Sequence, residues 1–103
     1  MEQILATAHI GNRIWFAEEK RPYTIRAQNE RYLICTKPFA PKKTVIYSIV
    51  DLDEKVRGTD SLIFGLGYET EDCIAQNMAL LASGEMEVSH RNRIPLDVVR
   101  MAA

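Results

Sequence analysis

Two histidines and two cysteines are the residues of this chain best suited to nucleophilic or metal chemistry, and they stand at positions 9, 35, 73 and 90. A Cys–His pair could supply a thiolate nucleophile, and two of each could hold zinc. The spacing argues against both. Zinc sites draw on close pairs of ligands, and these four are scattered. Neither Cys35 nor Cys73 follows a Gly-flanked strand-to-helix turn. Cys35 falls in the apolar run Tyr32-Leu33-Ile34-Cys35 and Cys73 opens an expected helix, so each reads as a small buried hydrophobe. Gly65-Leu66-Gly67 is followed by Tyr68 and lacks the third glycine of a dinucleotide loop. Asp51-Leu52-Asp53-Glu54 sets carboxylates at i, i+2 and i+3, half of a calcium loop, but without its central glycine or closing glutamate. A polar turn is the plainer reading. These residues assign no catalytic group, no metal and no cofactor, and the expectation is a protein that is not an enzyme.

Charge offers more. The chain has 103 residues and a formal net charge of −1, yet its halves differ. Between Lys20 and Lys43 there are seven basic residues and one acid, Glu30; between Asp51 and Asp72 there are seven acids and two bases, Lys55 and Arg57. The basic stretch carries Tyr23, Tyr32 and Phe39. Cations interleaved with aromatics suit single-stranded nucleic acid, whose phosphates pair with Lys and Arg and whose bases stack on rings. Lys37, Phe39, Lys42 and Lys43 are the candidate contacts. The alternative is a solvated outer face whose charges keep sheet edges apart, and the near-neutral total favours it. Asp51, Asp53 and Glu54 could instead occupy a basic groove on a partner. Arg91 and Arg93, two apart on an expected strand, could clasp a phosphate or carboxylate or pair with nearby acids. Asp51, Asp53, Glu54, Arg91 and Arg93 are therefore the candidate partner-binding residues.

These groups must be positioned by one small domain spanning 1–103. With 47% hydrophobic and 26% charged residues the composition is that of a globular protein, not a disordered one. No uncharged stretch approaches the ~20 residues of a membrane-spanning helix. Met-Glu-Gln-Ile-Leu lacks the basic start and apolar run of a signal peptide, and two cysteines are few for an oxidising compartment, so a cytoplasmic location is expected.

Gly11-Asn12 signals a turn, followed by a β-rich run at Arg13–Ala17. Tyr23, Ile25 and Ala27 alternate with Thr24 and Arg26 as in a strand. A turn at Asn29-Glu30 leads to a strand over 31–37, with Tyr32, Ile34 and Thr36 on one face. Pro38 and Pro41 should end it. Thr44–Val50 is apolar on both faces, which predicts a central strand covered on both sides. Leu62–Phe64 reads as another short strand. Thr70 is a candidate N-cap for a helix over about 71–83, with Glu71 and Asp72 in its first turn, a stripe of Ile74, Met78 and Leu81, and Gly84 as its stop. Residues from Glu85 alternate again, predicting a last strand up to Pro95, then a stop or a short helix through 97–99. Trp15, Tyr47 and Phe64 are the expected core aromatics. The sum is an α+β domain: a curled antiparallel sheet of five or six strands, in the manner of an SH3-like barrel, with one amphipathic helix.

Four segments are familiar together: Glu30 to Phe39, Lys43 to Asp51, Arg57-Gly58, and Glu87 to Asp97. They resemble a group of small proteins encoded by bacteriophages and prophages, over roughly residues 23–98. The resemblance carries no catalytic signature and no functional residues. It implies context: an accessory protein in a bacterial cytoplasm, of the kind that binds a host enzyme or defence complex, with inhibition of a CRISPR effector as its sharpest form.

Overall fold

Strand alternation and one helical stripe dominate the computed structural model, which describes residues 5–39, 44–58, 71–88 and 93–103. The elements are β1 (Arg13–Phe16), β2 (Tyr23–Gln28), β3 (Tyr32–Phe39), β4 (Thr44–Asp51), β5 (Val56–Gly58), α1 (Glu71–Ser83), β6 (Arg93–Pro95) and β7 (Val98–Ala102). All seven strands join one antiparallel sheet in the order β6-β5-β4-β3-β2-β1-β7. Among the described residues the strands number seven, against the five or six expected. The outermost strands, β6 and β7, are joined by only Leu96 and Asp97. A sheet can bring its two ends that close only by curling, and the result is a half-barrel.

The curl divides the apolar residues into two cores. Inside it lie Ile14 and Phe16 of β1, Tyr23 and Ile25 of β2, Leu33 and Cys35 of β3, Val50 of β4, and Leu96 and Val98 at the join. Outside it, Ile34, Val45, Tyr47 and Ile49 meet Ile74 and Leu81 of α1, with Met78 half-buried beside them. β4 is thus covered on both faces, as its two-sided apolar pattern required. Gly84 takes φ 83°, the left-handed region open to glycine, and the Met86 amide returns to the Leu80 carbonyl. Among the described residues no helix is long and apolar enough to cross a membrane.

Several expectations are corrected. Ala27 does not share a face with Tyr23 and Ile25, because Arg26 is an extra residue between the pairs Ile25–Cys35 and Ala27–Ile34. That bulge turns Ala27 toward the helix side. Pro38 lies within β3. The pairing of β2 with β3 stops at Thr36, so that side of the strand is already an edge where a missing amide donor costs little. Trp15 is half-exposed rather than central, since alternation sends Ile14 and Phe16 inward. The run from Glu85 is irregular through Val88; among the described residues of the expected strand, Arg93–Pro95 is strand, and Pro95 is accommodated because β6 is an outermost strand. Residues 98–102 form β7, not a short helix. The expected strand at Leu62–Phe64, the Phe64 ring and the Thr70 cap lie outside the described residues.

The two thiols are on opposite sides of the sheet. Cys35 is fully buried inside the half-barrel, and burial pushes its pKa well above the ordinary thiol range. Cys73 is half-buried on α1. Native protein treated with a disulfide reagent is expected to release one equivalent of chromophore, from Cys73, with the second appearing only on unfolding. Rapid loss of both thiols would contradict this packing.

Candidate functional site: a charged barrel mouth and an acidic cleft

One end of the half-barrel is apolar and the other is ionic. Cross-strand pairing explains why. Residues directly opposite each other share a face, and Val50, which points inside, is opposite Arg57, which is in turn opposite Ile94. Lys37 and Ile46 are likewise opposite each other, in phase with Cys35. Arg57 and Lys37 therefore both turn inward, and Glu19, which contacts both, brings their head groups to one end.

Arg57 is the largest fully buried side chain, 1% exposed. Its Nε donates to Asp97 Oδ1 at 2.7 Å and its Nη2 to Asp97 Oδ2 at 3.3 Å. Nη1 donates to Glu19 Oε2 at 3.1 Å. The guanidinium carbon lies 4.1 Å from the Phe16 ring centre. The other Glu19 oxygen accepts from Lys37 Nζ at 2.6 Å and from the Tyr23 hydroxyl at 2.8 Å. Burial and the hydrogen bond to Glu19 hold the Tyr23 phenol well above its ordinary pKa, so it remains a donor. Two cations and two carboxylates balance, and each is hydrogen-bonded, the condition on which buried charge is tolerated. Asp97 sits in the two-residue join, so Arg57 ties β5 to the point where the sheet's ends meet. Above this network opens a cavity of about 720 Å³ with walls of Ile46, Ile94 and Pro95.

A second site lies at the β4–β5 turn. Asp51 ends β4 and is buried. Its Oδ1 accepts from the amides of Asp53 and Glu54 at 3.0 and 3.1 Å and from Arg31 Nε at 3.1 Å; its Oδ2 accepts from Arg31 Nη2 at 2.9 Å. Burial alone would push its pKa up, but the Arg31 guanidinium and the two amides outweigh it and hold the carboxyl below its ordinary value. Lys55, at φ 55°, completes the turn. Asp53 and Glu54 stand out at the tip, 68% and 57% exposed. Arg31 reaches Asp53 at 3.8 Å, and Arg93 reaches Glu54 at 3.5 Å. Asp51, Glu54, Arg31 and Arg93, with Glu87 and Val88, border a cleft of about 310 Å³ in which acids outnumber bases, and Asp53 stands beside it on the turn.

Of the expected partner-binding residues, Asp51, Asp53, Glu54 and Arg93 are thus neighbours, while Arg91 lies outside the described residues. Asp51 differs from the other three in being buried and engaged in the turn. Of the expected nucleic-acid contacts, Lys37 is 15% exposed, turned inward, and held by Glu19 and over the Tyr23 ring at 4.7 Å. The Phe39 side chain, Lys42 and Lys43 lie outside the described residues, as does His90. The buried network of Glu19, Arg57 and Asp97 was not anticipated. Its signal is present, since Asp97 stands in the apolar run Ile94-Pro95-Leu96-Asp97-Val98-Val99 and Arg57 between Val56 and Gly58. A lone charge in such a setting needs a buried partner.

On the outer face, Trp15 lies between two guanidiniums, Arg100 at 4.4 Å and Arg13 at 5.4 Å from its ring centre. Among the described residues neither arginine has a carboxylate partner. No protein-family model, curated protein or solved structure matches this chain.

Proposed function

We propose that this chain is a non-enzymatic accessory domain of bacteriophage type that binds a host protein complex in the bacterial cytoplasm, through the acidic cleft at the β4–β5 turn. Its sharpest form is inhibition of a defence complex such as a CRISPR effector. The observation that carries the reading is the turn itself. Asp51 locks the backbone from inside, so the Asp53 and Glu54 carboxylates are presented on a preordered tip, and little ordering cost remains to be met on association. Their excess negative charge fits a basic surface. The host-complex context rests on the phage resemblance. An SH3-like assignment of the half-barrel belongs to the same proposal and rests on the curl that joins β6 to β7 through two residues.

The test is capture of partners from bacterial lysate with tagged protein, with and without nuclease. A stoichiometric host protein that survives nuclease is expected, and it should be lost from the Asp53→Lys, Glu54→Lys double variant. Both side chains are exposed, so the variant's stability should stay within roughly 0.5 kcal/mol of the parent. Undiminished capture by that folded variant would place the interface elsewhere.

A second reading, nucleic-acid binding, is favoured by Arg13, Trp15 and Arg100, a cation and aromatic face with no acid of its own among the described residues. Here Arg13→Ala with Arg100→Ala is expected to weaken oligonucleotide binding and flatten its salt dependence by about two phosphate contacts. Fluorescence anisotropy across a salt series checks this, and an unchanged slope would dispose of it.

A further inference from the structure

We infer that the cavity at the ionic end of the half-barrel is a binding site for an alkylammonium group, taken up with its charge against Asp97 and Glu19 and its apolar stem along Ile46, Ile94 and Pro95. The exposure pattern sets the sign. The two cations are at the bottom, Arg57 1% and Lys37 15% exposed, and both are engaged by the carboxylates. The carboxylates remain partly open to the cavity, Glu19 at 20% and Asp97 at 21%.

Acceptor capacity agrees. An ionised carboxylate offers about four lone-pair sites. Asp97 uses two of these for Arg57 and Glu19 uses three, for Arg57, Lys37 and Tyr23. What remains toward the cavity is acceptor, which an ammonium with its three donors can fill. Glu18, exposed and also bordering the cavity, adds one further negative charge to an otherwise balanced set. An anion would have to take Arg57 from its carboxylates. A bare divalent ion fits no better, since no group of three or more acidic, histidine or cysteine side chains able to hold one is present among the described residues. The size suits an organic ligand, as small-molecule sites run to roughly 300–1,000 Å³ and this one is about 720 Å³. The inference does not depend on the acidic cleft.

The ammonium could come from a free alkylamine or from a lysine side chain of a partner. Titration of the full chain by two-dimensional NMR separates these sources, using n-butylammonium and N-acetyl-lysine methylamide as probes, with 1-butanol and inorganic phosphate as controls. Saturable shifts confined to residues around Glu19, Tyr23 and Asp97 are expected with both ammonium probes and not with the controls. Tighter binding of the lysine amide assigns the site to a protein side chain, tighter binding of butylammonium to a free amine, and equal binding to the ammonium alone. An equal response to butanol, a response to phosphate only, or no saturable shift overturns the inference. Asp97→Asn should weaken the ammonium probes by roughly tenfold or more. Should that variant fail to fold, Glu18→Gln, outside the buried network, should weaken them by about twofold to threefold with the fold intact.

Discussion

Replacing Asp97 by alanine is expected to destabilise the protein by about 3–5 kcal/mol, the usual consequence of leaving one half of a buried ion pair behind. Arg57 is only 1% exposed, and Asp97 supplies two of the three hydrogen bonds it makes among the described residues. For a domain of this size each kcal/mol lowers the melting temperature by about 4–8 °C, so a drop of at least roughly 12 °C should be seen by calorimetry. Arg57→Met should be milder, because the carboxylates it abandons are about one-fifth exposed and can recruit water, and Lys37 still holds Glu19. In the double variant Arg57→Met, Asp97→Ala the loss should be well below the sum of the singles. Additive losses would mean that the two side chains are not coupled and that the ionic mouth is not what ties β5 to the join.

Asp51→Ala carries the second large effect, a loss of about 2–4 kcal/mol, since it strips two turn amides and the Arg31 guanidinium of their acceptor at once. Because the folded-state pKa of this carboxyl is depressed, its contribution is complete above the ordinary value of 3.8 and is lost as pH falls through the lower folded-state value. Wild-type stability measured by denaturant titration should therefore decline on the acid side. Asp51→Asn should start less stable and show a shallower decline there. Parallel pH profiles for the two proteins would refute the role given to this residue. The same comparison explains why Asp53 and Glu54, and not Asp51, are the proper positions for testing the docking face: a change at Asp51 alters the turn before it alters any interface.

How far the sequence was legible depended on the range of the interactions involved. Alternation in 23–27 and 32–36 identified β2 and β3, the two-sided apolar run at 44–50 identified β4, and the spacing of Ile74, Met78 and Leu81 identified α1, because each pattern is a local consequence of which faces are buried. The acidic turn and Arg93 were recognisable as charged groups needing partners, and pairing of Arg93 with nearby acids was among the alternatives; the structure makes that acid Glu54. What escaped were features set by distant neighbours. The bulge at Arg26 breaks a face that alternation assumes to be continuous. Trp15 lies outside because β1 presents Ile14 and Phe16 to the core, and nothing in four residues says which face is which. Lys37 was placed with the solvent-facing cations of its neighbourhood, yet it points inward to a glutamate eighteen positions earlier. The Arg57–Asp97 pair spans forty positions, so no local window contains both charges.

The two-residue join between the outermost strands also bears on the order of events during folding. β2, β3 and β4 pair through short connections and can form early. β1, however, must find β7, with Arg13 opposite Ala102, and closing so long a loop is entropically slow. The curl is thus expected to be completed last and to open first, so amide hydrogens of β7 should exchange by local opening while those of β3 and β4 wait for global unfolding.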